Sequence, residues 1–289
     1  MTTERDVRLR DGRTLRVHDT RGDDAGDAGG GPTLVWHHGS SQTGALLPPL
    51  VAMAAERGIR LVSYGRPAYG GSSPRPGRDV ASAAHDVAEL ADALGIDRFA
   101  VMGASGGGPH ALACAAVTPE RVTGVVCLAG IAPFTGEDGW FAGMASDGGL
   151  RAAAAGRATR ARYAEHEEFD PVSFTAADWA ALEGTWAPLG EDAQRAGAAG
   201  PDGLVDDDVA FMAPWGVDLA AVAAPVLLVQ GGQDRVVPPA HAHLQPHLRA
   251  LPHAEVWLRP DDGHISVLDA CPEALDRLLA LRADGRAVP

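Results

Sequence analysis

Apolar runs and helical patterns alternate along the first half of this chain. Asp6 to His18 alternates apolar and polar residues around Asp11-Gly12, which predicts a β-hairpin. Thr33 to Trp36, Ile59 to Tyr64, Phe99 to Met102 and Val122 to Leu128 are short apolar runs and predict strands. Helical patterns fall between them, at about Ala45 to Arg57, at Val80 to Leu94 and in the Ala-rich stretch after Gly107. This rhythm predicts an α/β fold, a mainly parallel central sheet with helices on both faces. From Pro133 to about Trp215 the strand rhythm stops, and an Ala-rich segment carries scattered aromatics and acids. It reads as an inserted helical cap. Strands resume at Pro225 to Gln230 and at Ala254 to Leu258, and a helix from about Ser266 to Arg282 closes the chain. The expected division is a core of residues 1–132 and 216–289 with a cap of residues 133–215. Within the cap, the Gly, Ala and Pro of Gly190 to Gly203 predict a loop, and Gly22 to Gly31 predicts a mobile one.

Gly103-Ala104-Ser105-Gly106-Gly107 joins an apolar strand to an Ala-rich helix. This is the G-x-S-x-G elbow, in which a serine sits on a strained turn between small neighbours. Pro109 suits a first helical turn, where no N–H is missed. A serine hydroxyl needs a base to take its proton, and in this motif an acid and then a histidine follow along the chain. The strand from Pro225 runs into Gly231-Gly232-Gln233-Asp234, and the strand from Ala254 leads to Asp262-Gly263-His264. The two residues lie far enough apart for one helix and one strand, so both fall in loops at the sheet edge of Ser105. The expected roles are Ser105 as nucleophile, His264 as proton shuttle and Asp234 as its orienting acid. Asp234 has a plainer reading as a cap for a helix at Pro238. An earlier strand, Thr33 to Trp36, ends in His37-His38-Gly39-Ser40. Its turn leaves the Ser40 N–H as an oxyanion donor beside that of Gly106.

These segments, in this order, resemble the α/β-hydrolase-fold serine hydrolases of bacterial type with a helical cap. The matching residues are His38-Gly39-Ser40, Gly103 to Gly107, Gly232-Gln233-Asp234 and Gly263-His264. Val62 to Ser73 is similar to that family's Asp-Arg-Pro-Gly-Tyr-Gly-x-Ser-Ser segment. Here Gly65 stands where the family has Asp, and Ala68 where it has Gly. Pro214 to Leu219 also looks like a segment of capped bacterial members. The resemblance implies cofactor-free hydrolysis, and a serine at the elbow argues against epoxide-hydrolase or dehalogenase chemistry, where relatives use Asp.

Composition narrows the partners. The 289 residues suffice for one α/β domain with an insertion, and 46% of them are hydrophobic. A formal net charge of −14 argues against nucleic acid or an anionic membrane as partner and mildly disfavours anionic substrates. All 24 basic residues are Arg, which fits the codon bias of a GC-rich genome. Three cysteines, Cys114, Cys127 and Cys271, are an odd count, and the first two read as small buried residues. The amino terminus lacks a charged-then-apolar signal pattern, so a reducing cytoplasm is expected. Monomer and homodimer are equally compatible with the sequence.

Other residues have plain readings beside the chemical ones. His243 and His247 have i, i+4 spacing, but Pro246 lies between them, and with His241 and His253 they read as a solvated helix face rather than a metal site. No cofactor or metal is expected. Asp206-Asp207-Asp208 reads as a solvated or helix-capping cluster. His38 shapes the oxyanion loop or borders substrate. His110 touches substrate or packs beneath the cap. Trp140, Phe141 and Trp215 belong to a cap core or to a substrate pocket.

The function read from these features is hydrolysis of an ester or lactone of a small to medium neutral molecule. The same triad also serves perhydrolases and amide hydrolases of the proline-iminopeptidase type. The latter need cap acids to hold a free amine, for which Glu165, Glu167 and Glu168 are candidates. A reading from another class is a non-catalytic ligand-binding protein of the same fold.

Overall fold

The computed structural model describes residues 2–22, 31–239 and 249–283. Eight strands form one sheet: β1 (Thr3–Arg8), β2 (Thr14–Asp19), β3 (Thr33–His37), β4 (Arg60–Tyr64), β5 (Phe99–Ala104), β6 (Val122–Leu128), β7 (Val226–Gly231) and β8 (Ala254–Arg259). Their order across the sheet is β1-β2-β4-β3-β5-β6-β7-β8. The β1–β2 and β2–β4 pairs are antiparallel, and every other pair is parallel. The predicted hairpin is thus the antiparallel edge of an otherwise parallel sheet, and Gly12 takes φ 90° in its turn.

The strand pleat divides the core into two layers. Val35, Val101, Val125 and Leu228 point to one face, where they meet Val87 and Leu90 of α2 (Ala81–Ala93) and Leu112 of α3 (Gly107–Val117). Their sequence neighbours Leu34, Trp36, Met102, Val126 and Leu227 point to the other face. There they meet Leu50 and Met53 of α1 (Pro48–Glu56), and Leu275 and Leu278 of the closing helix. β5 and β7 are buried at every position, as central parallel strands covered on both faces must be. Edge strand β8 has no buried position, its residues being half-buried or exposed.

Residues 133–215 contain α4 (Gly148–Ala154), α5 (Arg157–Ala164), α6 (Ala176–Glu183), α7 (Ala187–Ala198) and α8 (Asp202–Met212), with short 3-10 turns and no strand. The loop expected at Gly190 to Gly203 is instead mostly helix, because α7 runs through Gly190 and Gly197. Tertiary contacts override the weak propensity of those glycines. Leu189 and Ala196 are buried on one side of α7, and Asp192 is tied to Thr43 in the core. The closing helix is a 3-10 turn over Ser266–Ala270 followed by α9 (Cys271–Ala283). Cys114, Cys127 and Cys271 are free and buried. Among the described residues no helix is long and apolar enough to cross a membrane. His241, His243, His247 and most of the Gly22 to Gly31 segment lie outside the described residues.

α3 packs so closely under the β3 loop that a Cβ on Gly107 would sit 2.0 Å from the carbonyl oxygen of His37. That neighbour is backbone and cannot rotate away. Gly107→Ala is therefore expected to destabilise the fold by about 1–3 kcal/mol, measured as a lowered denaturation midpoint. An unchanged midpoint would mean that the strand–helix contact is looser than this.

Candidate active site

Three parallel strands deliver the chemistry-bearing residues to one edge of the sheet. β5 ends at Ala104, and the chain turns sharply into α3. Ser105 sits on that turn with φ 52°, in the left-handed region. Such a backbone costs about 1–3 kcal/mol and persists only where surrounding contacts impose it. Here the Ser105 N–H donates to the Leu128 carbonyl at 2.8 Å, and the Ser105 carbonyl accepts from Gly108 at 2.9 Å. Gly103 is required as well, since its Cβ would lie 2.3 Å from the Gly107 oxygen.

The loops after β7 and β8 interlock. The Gly232 N–H donates to Arg259 at 2.7 Å and the Gln233 N–H to Asp262 at 2.8 Å. Side chains on Gly231 or Gly232 would strike the backbone of residues 260–263. This fit sets Asp234 beside His264. The His264 Nδ1–H donates to Asp234 Oδ2 at 2.8 Å, and Nε2 accepts from the Ser105 hydroxyl at 2.9 Å. The three residues expected as a triad thus form one continuous hydrogen-bonded line. Asp234 Oδ1 also accepts the N–H groups of Val236 at 2.8 Å and Val237 at 2.9 Å, so it caps the following turn too. Gln230 Nε2 adds a 3.2 Å contact to Oδ2. Burial pulls the His264 pKa down, but the charge and hydrogen bond of Asp234, with the charge of Asp178, outweigh it and hold the pKa above the ordinary imidazole value.

The β3 loop lies against the elbow. A Cβ on Gly106 would be 3.2 Å from the Ser40 nitrogen and 2.2 Å from its Oγ, which puts the two expected oxyanion donors side by side. Among the described residues, neither the Ser40 nor the Gly106 N–H is bonded to a protein acceptor. His38 spends both ring nitrogens on shaping this loop. Its Nδ1–H donates to the Gly39 carbonyl at 2.7 Å, and its Nε2 accepts the Arg66 N–H at 3.1 Å. Burial, with Arg66 nearby, keeps the ring neutral.

The departures at Gly65 and Ala68 have local consequences. A Cβ on Gly65 would lie 2.6 Å from the Tyr69 oxygen and 2.8 Å from that of Thr43, so this turn has no room for the family's Asp. Ala68 has φ 70°, a conformation in which glycine would be unstrained.

The aspartates of α8 overturn the expectation of a solvated or helix-capping cluster, since they lie within the helix and not at its cap. Asp206, Asp207 and Asp208 are all buried, because each has an arginine partner. Asp206 meets Arg157 at 2.6 Å and Asp208 meets Arg160 at 2.6 Å. Asp207 accepts from Arg66 at 2.6 Å, from Arg78 at 2.5 Å, from the Tyr69 hydroxyl at 3.0 Å and from the Ser40 hydroxyl at 3.1 Å. Burial alone would raise the Asp207 pKa, and Arg66 and Arg78 hold it well below the carboxylate range.

The aromatic and histidine candidates occupy packed positions. His110 is fully buried beneath Phe211, with ring centroids 5.7 Å apart, and burial and Arg66 lower its pKa to about 4. Trp140 packs edge-on against Phe134 and Phe141 and donates to the Pro133 carbonyl at 3.2 Å. Trp215 is buried with its Nε1 3.4 Å from the Phe211 carbonyl. Of the cap acids, Glu167 is paired with Arg160 at 2.7 Å.

Sequence reasoning overlooked Asp178 and Asp192, and misplaced Asp207. Asp178 closes a capping box with Thr175 on α6 and also accepts the Ile265 and Ser266 N–H groups, each at 2.8 Å. The box was visible as Thr-x-x-Asp and signals a helix start. Its second role, on the loop of His264, depends on a partner 88 positions away.

Known proteins place this architecture. The family model for the alpha/beta hydrolase fold matches residues 32–270. Among solved structures, an enol-lactonase from Burkholderia xenovorans LB400 superposes with a TM-score of 0.71 at 20% identity, over 96% of this chain and 100% of that one. A thermophilic esterase from Thermogutta terrifontis gives a TM-score of 0.68 at 19% identity, over 97% and 99%. A bromoperoxidase from Bacillus anthracis gives 0.69 at 19% identity, over 98% and 100%. At such identities these likenesses speak for the fold alone. With the family model covering most of its length, the chain belongs to the α/β-hydrolase fold family.

Proposed function

We propose that this protein is a serine hydrolase that cleaves an ester or lactone of a small to medium neutral molecule through an acyl-enzyme on Ser105. The observation that carries this reading is the line from the Ser105 hydroxyl to His264 at 2.9 Å and on to Asp234 at 2.8 Å. The order of serine, acid and histidine along the chain, in a member of the α/β-hydrolase fold family, supports the reaction class.

The chemistry follows from the geometry. His264 Nε2 takes the hydroxyl proton as Ser105 Oγ attacks the carbonyl carbon. The imidazolium so formed is stabilised by Asp234, whose other oxygen is fixed by two backbone amides. Negative charge develops on the carbonyl oxygen, and the free N–H groups of Ser40 and Gly106 receive it. His264 then gives its proton to the leaving alkoxide, and an alcohol departs; in a lactone that alcohol stays tethered to the acyl group. Water, deprotonated by His264, attacks the acyl-enzyme by the same route and frees the carboxylic acid. His264 hands the water's proton to the departing Ser105 Oγ, so every proton passes through one ring and the enzyme is restored.

A panel of p-nitrophenyl esters of graded chain length, lactones and aminoacyl amides tests the reading, together with a fluorophosphonate probe. Expected are turnover of an ester or lactone and stoichiometric labelling at Ser105. Preferred cleavage of aminoacyl amides would move the assignment to an amide hydrolase. A folded protein that neither labels nor turns over any ester or lactone would be a binding protein instead.

The pH profile has a defined sign. The base must be neutral to accept the hydroxyl proton, so kcat/KM should rise with pH as His264 loses its proton. Because the His264 pKa is held up, the acid limb is expected above the ordinary imidazole value of about 6.5. A flat profile extending well below that value would exclude a histidine base.

A further inference from the structure

Three successive helices of the 133–215 segment each insert one buried carboxylate into a loop at the Ser105 edge of the sheet. Asp178 on α6, Asp192 on α7 and Asp207 on α8 have relative exposures of 0%, 1% and 0%. Asp178 Oδ1 accepts the N–H groups of Ile265 and Ser266 at 2.8 Å each and the Ser266 hydroxyl at 2.9 Å. Its Oδ2 accepts the Thr175 N–H at 2.8 Å, which ties the His264 loop to the start of α6. Asp192 accepts the Thr43 N–H at 2.9 Å and hydroxyl at 2.6 Å, three residues beyond Ser40. Asp207 accepts the Ser40 hydroxyl at 3.1 Å, and the Arg66 that pairs with it at 2.6 Å also donates to the His38 carbonyl. The loop of the base and the loop of the oxyanion donor are therefore both held from the helical side.

We propose that α6 and α8 are built into the reaction machinery, Asp178 as the positioning residue for His264 and Asp207 as the positioning residue for the Ser40 oxyanion loop. This rests on the serine-hydrolase reading. Withdrawing either helix from the sheet edge would strip a buried carboxylate of its donors, and in the case of Asp207 would leave two buried guanidiniums unpaired, which is costly in a dry interior. The helical segment is accordingly a fixed roof whose contacts set catalytic geometry. An error of about 1 Å in a catalytic loop can cost two orders of magnitude in rate.

The two positioning roles leave different signatures. Among the described residues, the charged groups that act on the His264 ring are Asp234, bonded to Nδ1 from the β7 loop, and Asp178 of α6, whose carboxylate is held on the Ile265 and Ser266 amides next along the chain, while Ser105 from the elbow closes the other nitrogen. Burial raises the Asp178 pKa, but the amides of Ser266, Thr175 and Ile265 outweigh it and keep the group ionised. Neutralising it removes a charge that favours imidazolium. Asp178→Asn should thus lower kcat about tenfold and move the acid limb of the pH profile down by about half a unit. Ser40→Ala keeps the Ser40 amide and deletes only the hydroxyl that Asp207 accepts. It should lower kcat about tenfold with KM within twofold and leave the acid limb in place.

The experiment measures kcat, KM, pH profile and denaturation midpoint for wild type and both variants on one p-nitrophenyl ester. If wild type shows neither turnover nor labelling at Ser105, the hydrolase reading fails and takes the proposal with it. If wild type is active and a folded Asp178→Asn keeps its acid limb, or a folded Ser40→Ala keeps kcat within twofold, the proposal alone is overturned. Should Asp178→Asn fail to fold, Ser266→Ala replaces it. That variant removes one donor to Asp178 and the acceptor of the Gly263 N–H at 2.7 Å. A kcat loss of about threefold or more at unchanged KM then supports the proposal, and an unchanged kcat overturns it.

Discussion

Ser105→Ala is expected to lower ester turnover by up to about 10⁶-fold while the fold stays intact. The size of the effect follows from what the hydroxyl does. Without it no acyl-enzyme forms, and His264 and the two amides can only assist direct attack by water. The substitution removes only a hydroxyl and keeps the Cβ on a turn that the neighbouring backbone imposes. The Ser105 N–H and carbonyl keep their bonds to Leu128 and Gly108. The denaturation midpoint should therefore stay close to that of wild type, and fluorophosphonate labelling should vanish. Turnover near the wild-type rate in this variant would remove Ser105 from the mechanism.

Asp234→Asn should cost up to about 10⁴-fold in kcat. Asn offers an N–H₂ as well as an oxygen, and Val236 and Val237 already require an acceptor at one position. With the carbonyl oxygen serving those amides, the N–H₂ faces His264 Nδ1. The ring must then put its proton on Nε2, where it can no longer accept from Ser105. Both the tautomer and the charge stabilisation are lost together. KM should change little, since Asp234 contacts His264 and its own loop. A silent substitution would mean that another acid orients the ring.

Much of the scaffold was legible because it rests on local rules. Strands β3 to β7 are short apolar runs bounded by turn residues, and their alternation with helices implies a parallel sheet. The elbow announces itself because its backbone conformation demands small neighbours, and Gly103 and Gly107 have no space for a Cβ. The order of the motifs placed Asp234 and His264 in loops at the same edge. Their hydrogen-bonded meeting with Ser105 is a fact of the folded chain, and their catalytic roles are for the variants above to decide.

What stayed hidden lies between distant segments. Gly190 and Gly197 weaken a helix locally, yet α7 forms because its other face is buried and Asp192 is anchored on Thr43. Asp206, Asp207 and Asp208 look like solvated acids until Arg157, Arg66, Arg78 and Arg160 are brought to them. Asp178 reads as a helix cap, and its grip on Ile265 and Ser266 emerges only when α6 reaches the β8 loop.

By itself the sequence determined the α/β class, the strand order along the chain and the residue types of the elbow, acid and histidine loops. Apolar periodicity and steric demands on glycine act within a few residues and leave a local imprint. Only the tertiary structure decided which buried charges pair and how the helical segment meets the Ser105 edge of the sheet. An ion pair or a side-chain grip on a remote amide depends on chain paths that converge in space, and neither partner alone carries a mark of the other.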